Sequence, residues 1–316
     1  MMMVYIKPLS RFPELSSDNI FGALTNVISE IYPELIDEMI SSFESNNPPF
    51  LVSSAFPVIL DDNKKIRCYP KINRFIESYT KLDYNAYRKY QNVKYIEESI
   101  FFKLIECKLT KKKLINNLNE YVILNDFLLE NKHDFNIEQV TNTHNSINNL
   151  TSESEEVFYD FGNMYNNVEL FLLISINDKK YEEIIKSAFK FLKDRGFGKR
   201  ITAGNGQFDY EITSSDINTS YDDYYITLSR YIPKDEEIRD INDNCSYKLV
   251  EKQGKFSNGE LKIKTTFFEE GSVFNTRAKN PGKIIQSGIN QNSIEYGYAF
   301  PIKYSRGYVD EMWFNN

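Results

Sequence analysis

The sequence has few of the side chains from which catalytic and metal centres are built. Its 316 residues include two histidines, His133 and His144, and three cysteines, Cys68, Cys107 and Cys245. Four zinc ligands would have to come from these five scattered residues, so we expect no metal site and no cofactor. An odd number of cysteines without CxxC spacing also argues against a disulfide framework. We expect buried or inert thiols in a reducing cytoplasm.

Long apolar segments are lacking as well. The sequence contains no run of about 18 uninterrupted apolar residues, the length that a membrane-spanning helix needs. Residues 1–10 also lack the apolar core of a signal peptide. These absences predict a cytoplasmic protein that does not contact a membrane.

The glycine-rich segment 196–206 fits neither common nucleotide-binding pattern. It contains no Gly-Lys-Ser/Thr, and it leads from a predicted helix into a predicted strand. P-loops and Rossmann loops lead instead from a strand into a helix. Residues 195–198 (RGFG) match the start of the RNP1 motif of RNA-recognition domains. The next residue, Lys199, breaks that motif, so we treat the match as accidental.

Two interpretations of this loop remain open. Glycines let a backbone approach its ligand closely and let amide N–H groups point outward. Together with the charges of Lys199 and Arg200, such amides suit a kinked RNA backbone. In the other interpretation, the glycines only relieve crowding where a helix turns into a strand.

Charge is unevenly distributed along the chain. The formal net charge of −7 disfavours a nucleic-acid partner if it is taken as a sum. Residues 64–132, however, contain 15 lysines and arginines against 8 aspartates and glutamates, a net of +7, so the remainder carries −14. Interleaved tyrosines could stack on the bases of single-stranded RNA, although such a segment alone is more typical of a solvated surface. These tyrosines are Tyr79, Tyr84, Tyr87, Tyr90 and Tyr95.

Hydrophobic spacing predicts helices combined with strands. The length predicts two domains, and 41% hydrophobic residues are typical of a globular protein. The acidic, Asn-rich residues 133–165 are predicted to form a long connection. Strands accompanied by helices in both halves predict an α+β fold with helices on one face of each sheet. Apolar periodicity predicts helices at 17–32, 116–131 and 179–194 and a buried strand at 168–176.

Several short blocks, read in order, resemble one protein family. Each block is weak alone, but their order and spacing are similar to subunit four of the type III-A CRISPR Csm effector complex, a RAMP-superfamily protein. The resemblance covers essentially the whole chain. The blocks are residues 15–24 (LSSDNIFGAL), 50–57 (FLVSSAFP), 69–71 (YPK), 88–96 (RKYQNVKYI), 144–147 (HNSI), 204–208 (GNGQF), 228–233 (LSRYIP), 271–274 (GSVF) and 296–300 (YGYAF).

The resemblance implies two ferredoxin-like (RRM-like) domains with antiparallel sheets, helices on one face and insertions. On this basis we assign residues 1–165 to an N-terminal domain with the basic segment, 64–132, as its insertion. Residues 166–316 form the C-terminal domain, which contains the glycine loop. The resemblance also implies a thumb-like hairpin that kinks the RNA, and we expect it within the basic segment.

The resemblance further implies a non-catalytic RNA-binding subunit in antiviral defence. Such a subunit holds the 5′ tag of the CRISPR RNA (crRNA) and connects the large polymerase/HD subunit to the backbone RAMP subunit. The family's strand-to-helix motif matches residues 17–19, and its glycine loop matches residues 196–206. The expected RNA-binding residues are Ser17, Asp18, Asn19, Lys71, Lys94, Gly196, Gly198, Lys199, Arg200, Gly204 and Gly206.

Two other functions stay open at this point. A RAMP-family endoribonuclease that processes precursor crRNA would need a general acid and base, supplied by His144 or by a tyrosine–lysine pair. A purely architectural protein would contact no RNA. The family often carries an arginine before, and an Asn-x-Ile-Asp-Arg run at, the segment that reads Asn145–Asn149 here. This chain lacks the arginine and the aspartate, which is a departure from the family pattern.

Overall fold

The computed structural model describes most of the chain. The described residues are 1–62, 64–73, 82–147, 154–198, 201–215, 217, 224–241, 245–254, 261–275, 278–286 and 293–304. Side chains are described for all of these residues except 142–147, 154–160 and 304.

Helices and strands alternate through the described residues. Up to residue 166 the elements are β1 (Met2–Pro8), α1 (Ser17–Ile31), α2 (Ile36–Glu44), β2 (Phe50–Val52), β3 (Phe56–Asp61), β4 (Lys64–Pro70), α3 (Tyr84–Gln91), β5 (Tyr95–Glu97), α4 (Glu98–Ile105), α5 (Lys111–Asn116), β6 (Val122–Leu124), β7 (Phe127–Leu129), β8 (Asn136–Ile147) and β9 (Ser154–Asn166). The later elements are β10 (Val168–Ile176), α6 (Lys180–Arg195), β11 (Phe208–Ser214), β12 (Tyr224–Thr227), α7 (Asp235–Ile238), β13 (Leu249–Lys252), β14 (Thr265–Phe268), β15 (Val273–Phe274), β16 (Gly282–Gln286), β17 (Ile294–Tyr298) and β18 (Pro301–Tyr304).

A nine-stranded sheet forms the centre of the molecule. Its strand order is β11–β1–β10–β3–β4–β5–β7–β6, and β2 also pairs with β10. Strand β10 is nearly all apolar, and most of its side chains are buried. This composition suits a central strand that is covered on both faces. In the register, Val4 of β1 lies opposite Leu172 of β10 and Ile212 of β11. The predicted strand at 168–176 and the α+β class are therefore confirmed.

Helices α1 and α6 pack together against this sheet. Their buried apolar side chains follow helical spacing, with Ile20, Leu24 and Ile28 on α1 and Ile185 and Phe189 on α6. Both helices match their predicted ranges closely. Ser16 is the N-cap residue of α1 and has an extended backbone, but its hydroxyl makes no capping hydrogen bond.

The sheet combines strands from both halves of the chain. The central strand β10 pairs with β1, β2 and β3, which all precede the predicted domain boundary. The boundary predicted between residues 165 and 166 therefore falls inside one sheet.

A long hairpin occupies the region that was predicted to be a connection. Strands β8 and β9 pair antiparallel from Asn136–Asn166 to Ile147–Ser154. The prediction was wrong because these strands lack a clear alternation of apolar and polar residues, and asparagine is depleted in most strands. The β8–β9 hairpin directly follows the basic segment, 64–132, and the location of a thumb-like hairpin stays a prediction.

The helix predicted at 116–131 is also wrong. Helix α5 ends at Asn116, and a 3₁₀ turn at Leu118–Glu120 is followed by a hairpin of β6 and β7. Asn125 takes a left-handed φ of 54° at the hairpin turn, a conformation that asparagine tolerates. Because β7 also pairs with β5, tertiary pairing overrides the helical spacing.

Residues after β11 form three small antiparallel sheets. Their strand orders are β15–β12–β18, β13–β14 and β16–β17. These sheets are joined to the N-terminal part by aromatic packing, since the ring of Phe21 on α1 stacks on Tyr296 of β17 at 4.7 Å. The Tyr296 hydroxyl also accepts a hydrogen bond of 3.1 Å from the backbone N–H of Val52.

Replacing the central core leucine tests this sheet arrangement. Leu172 is fully buried, so we expect Leu172→Ala to lower the free energy of unfolding by about 2–5 kcal/mol. Leu9 is 60% exposed and serves as the control, for which we expect a change within about 0.5 kcal/mol. Urea titration measures both, and equal losses would contradict the central position of β10.

Candidate nucleic-acid interface

A cleft of about 960 Å³ lies where the basic segment, the base of the β8–β9 hairpin and the C-terminal strands meet. The start of α1, the end of β4 and the residues that follow α3 form its other walls. Three of the predicted RNA-binding residues, Asn19, Lys71 and Lys94, line this cleft. The fold thus brings together residues from three separate sequence blocks.

The charges around the cleft are mixed. The Lys94 side chain is 70% exposed and lies 3.3 Å from the carboxylate of Asp126. Because carboxylates offset the cations, a ligand here would be held by particular contacts rather than by net charge. Arg230 and Lys248 were not predicted as site residues, although Arg230 lies in the LSRYIP block. The lining cations are Lys71, Lys94, Arg230 and Lys248, and the lining carboxylates are Glu14, Asp126, Glu269 and Glu270.

Lys71 has an unusual environment for a lysine. Burial and the nearby charge of Lys248 lower its pKa to about 8, and the carboxylate of Glu269 offsets them only partly. Its Nζ donates hydrogen bonds to the carbonyl oxygens of Gln91 at 2.7 Å and Tyr90 at 3.3 Å. Lys71 therefore binds the C-terminal end of α3, where a cation is favourable. A phosphate at this position would raise the pKa of Lys71 again.

Ser17 and Asp18 have buried side chains that contact other parts of the protein. The Ser17 hydroxyl accepts a hydrogen bond of 3.0 Å from the backbone N–H of Arg230. The Asp18 carboxylate pairs with Arg230 at 3.4 Å and with Lys252. We call these four residues the clasp. The clasp joins the start of α1 to the C-terminal strands beside the cleft, and direct RNA contact by Ser17 and Asp18 stays a prediction.

Arg230 lies between two carboxylates at the edge of the cleft. Burial alone would raise the pKa of Asp18, but Arg230 and Lys252 outweigh it and bring that pKa below its usual value. Glu270 behaves oppositely, because burial raises its pKa despite Arg230 and the hydroxyl of Ser54. The Arg230 Nε lies 3.8 Å from a Glu270 oxygen. The clasp is thus strongest while Asp18 is ionised.

Close packing explains most of the glycine loop. At residue 206, a Cβ atom would lie 1.9 Å from the carbonyl oxygen of Phe197, so only glycine fits. Three amides that were predicted to face a phosphate instead donate to protein carbonyls. They are those of Gly196 to Leu192, Gly204 to Ile201 and Gly206 to Arg11. The described part of the loop therefore favours the tight-corner interpretation.

Three further residues of the glycine loop, Gly198, Lys199 and Arg200, were predicted to bind RNA. Gly198 has a φ of 94° and packs near the ring of Pro13. Lys199 and Arg200 lie outside the described residues, so their contact with RNA stays a prediction.

The tyrosines of the basic segment, 64–132, differ in exposure. Tyr84 is 63% exposed, with the Arg88 guanidinium 5.2 Å from its ring centroid. Tyr90 is only 2% exposed, and Tyr95 packs on Phe127. Tyr87 is half-buried, and Tyr79 lies outside the described residues. Of the described tyrosines in this segment, Tyr84 offers the open ring that base stacking requires.

The described residues give little material for acid–base or metal chemistry. The His133 side chain is 8% exposed, and its Nδ1 lies 2.8 Å from Asp61. The side chain of His144 lies outside the described set. Within that set, no group of three or more His, Cys, Asp or Glu residues could hold a metal ion. No described helix is long and apolar enough to cross a membrane.

The cysteines agree with the sequence prediction. Among the described residues no disulfide joins the three cysteines; Cys68 and Cys245 are buried, and Cys107 is half-buried. Burial, together with Glu97 and Glu98, raises the pKa of the Cys68 thiol. A thiol of this kind stays protonated and unreactive.

Comparison with known proteins identifies relatives of this chain. Residues 220–305 match a protein-family model for the CRISPR Csm4 C-terminal domain. The curated protein "CRISPR system Cms protein Csm4" of Thermococcus onnurineus (strain NA1) is 22% identical over 293 residues, which cover 90% of each chain. The resemblance inferred from the short sequence blocks is thereby confirmed.

Solved structures share the fold. A chain of the crystal structure of the Csm3-Csm4 subcomplex in the type III-A CRISPR-Cas interference complex matches with a TM-score of 0.69 and 19% identity. The match covers 96% of this chain and 100% of that chain. A chain of the crystal structure of the Csm1-Csm4 cassette in complex with pppApA matches with a TM-score of 0.62 and 18% identity, covering 96% and 97%. The chain thus has the fold found in these assemblies.

Substituting two loop glycines separates the packing role from conformational strain. Gly206→Ala places a Cβ against Phe197, whereas Gly204→Ala meets open space, and both residues have positive φ. We expect each change to cost about 1–3 kcal/mol from backbone strain. Gly206→Ala should cost clearly more because of the clash. Denaturant unfolding measures the difference, and equal costs would contradict the tight-corner interpretation.

Neutralising Asp18 tests the clasp. We expect Asp18→Asn to lower the free energy of unfolding by about 3–5 kcal/mol at pH 7, because Arg230 loses its buried partner. The folded-state pKa of Asp18 is lowered, so its contribution is complete above about pH 4 and disappears as pH falls through the folded-state value. The difference from wild type should therefore shrink in acid. Asp37→Asn on exposed α2 is the control, and a pH-independent difference would contradict this assignment.

Proposed function

We propose that this chain is the Csm4-type subunit of a type III-A CRISPR effector complex and binds the 5′ tag of the crRNA in its cleft. The observation that carries the proposal is the convergence of Asn19, Lys71 and Lys94 on that cleft in a chain with a Csm4-like fold. Each residue lies in a block that the sequence shares with the family. The proposed site of action is the cytoplasm, where crRNA is found.

The chemistry of the cleft supports single-stranded RNA as the ligand. Lysines suit phosphates, while asparagines and backbone groups near the cleft suit bases and sugars. The mixed charges favour a short, specifically bound segment over an arbitrary length of nucleic acid. A tag of fixed sequence is such a ligand.

The proposal includes two protein partners. Structures with this fold hold Csm4 together with Csm3 and, separately, Csm4 together with Csm1. We propose that this chain likewise bridges the large polymerase/HD subunit and the backbone RAMP subunit. The acidic surplus outside the basic segment offers charged surface for such contacts.

The proposed architecture is two ferredoxin-like domains with a shifted boundary. The connectivity β1–α1–β3, then β10–α6–β11, with strand order β11–β1–β10–β3, corresponds to a split βαβ–βαβ unit. The basic segment and the long hairpin are then insertions between β3 and β10. The second domain would begin after β11, where the family match starts at residue 220.

Copurification of RNA tests this function. The tagged chain, expressed with its partner subunits and a CRISPR array, should recover crRNA that carries the 5′ tag, as read by RNA sequencing. Recovery of both partner subunits without tag-bearing RNA would refute the proposal. Purified chain incubated with labelled precursor RNA should leave it intact. Specific cleavage that His144→Ala abolishes would establish the endoribonuclease instead.

The pH dependence of RNA affinity tests the role of Lys71. Its pKa is about 8 in the free protein, and a phosphate should raise it, so RNA binds best when Lys71 is protonated. Affinity should therefore fall between pH 7 and pH 9. The fall should be about tenfold for each unit by which RNA raises the pKa. Lys71→Arg should retain affinity and remove this dependence, and an unchanged pH profile in Lys71→Arg would contradict the assignment.

A further inference from the structure

The outer face of α3 and α5 carries cations that no carboxylate of the described residues neutralises. On this face Arg88, Lys89 and Lys113 are exposed, and Lys112 is half-buried. Other cations of the basic segment are ion-paired: Lys65 with Glu169 and Glu211, Arg67 with Glu98, Lys94 with Asp126, Lys103 with Glu130, and Lys108 with Glu106. Lys64 and Lys132 are also exposed, but four of the described cations without a carboxylate partner lie together on these two helices. We call Arg88, Lys89, Lys112 and Lys113 the outer cations.

The two helices form one surface because they pack side by side in opposite directions. The backbone N–H of Asp83, before α3, donates to Asn116 at the end of α5 at 3.2 Å. At the other end, the Nζ of Lys111 at the start of α5 lies 5.6 Å from the ring centroid of Tyr90 near the end of α3. The outer cations thus lie along a pair of helices, of which α3 is about 12 Å long.

This surface adjoins the cleft through Tyr90. The Nζ of Lys71, which lines the cleft, is 5.4 Å from the same Tyr90 ring that Lys111 approaches. Gln91 and Asn92, directly after Tyr90, also line the cleft. A row of positive charge therefore leads from Lys71 across Tyr90 to Lys111 and the outer cations.

An exposed aromatic ring lies at the far end of this row. Tyr84 is at the start of α3, and the Arg88 guanidinium packs over its ring. An open ring beside unneutralised cations combines base stacking with phosphate binding, as in sites for single-stranded nucleic acid. An acidic protein surface would use the charges but would not need the ring.

We propose that the outer face of α3 and α5 is a second RNA contact, continuous with the cleft. It binds the phosphates of single-stranded nucleotides adjoining those in the cleft, and Tyr84 stacks on a base. This extension rests on the proposed RNA-binding function of the cleft. It assigns a role to cations that the ordered family blocks do not cover, such as Lys112 and Lys113.

RNAs of two lengths measure this contact in the assembled complex. The probes are single-stranded RNAs that begin with the same tag, one of about 4 nucleotides and one of about 16, within the range of known single-strand site sizes. The test variant combines Arg88→Gln, Lys89→Gln and Lys113→Gln. The matched control combines Lys7→Gln, Lys179→Gln and Lys190→Gln, three exposed lysines elsewhere.

For the long RNA, the test variant should show weaker binding and a salt dependence that is shallower by about 2 in log–log slope, since three phosphate contacts are lost. Binding of the short RNA and both measurements in the control should match wild type. Tyr84→Ala should weaken only the long RNA, several-fold, without changing the slope. These results together would support the extension.

Other outcomes would contradict the proposed second RNA contact. Equal losses for both RNAs in the test variant, or the same losses in the control, would mean that the outer cations act only through overall charge. Unchanged RNA binding with failed assembly would identify a docking surface for an acidic protein. If wild-type complex binds neither RNA, the proposed function fails, and not merely its extension.

Discussion

The buried carboxylate of Asp18 is the interaction on which the arrangement of this molecule most depends. It pairs with Lys252, which lies 234 residues later in the chain, and with Arg230. An isolated buried charge would cost several kcal/mol, so the N-terminal helix and the C-terminal strands have to meet for Asp18 to stay ionised. Because Asn19 follows Asp18 and Arg230 lines the cleft, the same ion pairs set one wall of the candidate RNA site.

Around this candidate nucleic-acid surface, many of the charges are used inside the protein. Apart from the outer cations, many cations of the basic segment connect secondary-structure elements. Lys65 connects β4 to β10 and β11, and Lys71 binds the end of α3. The lining cations and carboxylates of the cleft nearly balance, so the proposed selectivity for RNA would come from shape and hydrogen bonding. The net charge of the whole chain therefore predicts the local charge of neither the cleft nor the outer face of α3 and α5. The two surfaces are adjacent but differ in local charge.

Much of the fold could be predicted because local pattern and tertiary environment agree. Residues 168–176 are nearly all apolar and become the central strand, and α6 ends at Arg195, directly before Gly196. Prediction failed where the local pattern does not reveal which strands pair. The β8–β9 ribbon has no apolar alternation to reveal it, and β7 is fixed by β5. No local signal shows that β1 pairs with β10 and β11 either, and the domain boundary at 165 stays a prediction.

The candidate site was predictable in part for the same reason. Asn19, Lys71 and Lys94 could be found from family-like blocks, whereas Lys248 carries no local signal and reaches the cleft only through the fold. Site-specific crosslinking tests the account most directly. In the assembled complex, crRNA with 4-thiouridine in its 5′ tag should crosslink to peptides around residues 16–19 and 91–95. Crosslinks confined to other surfaces, with the tag RNA still bound, would contradict the assignment of the cleft.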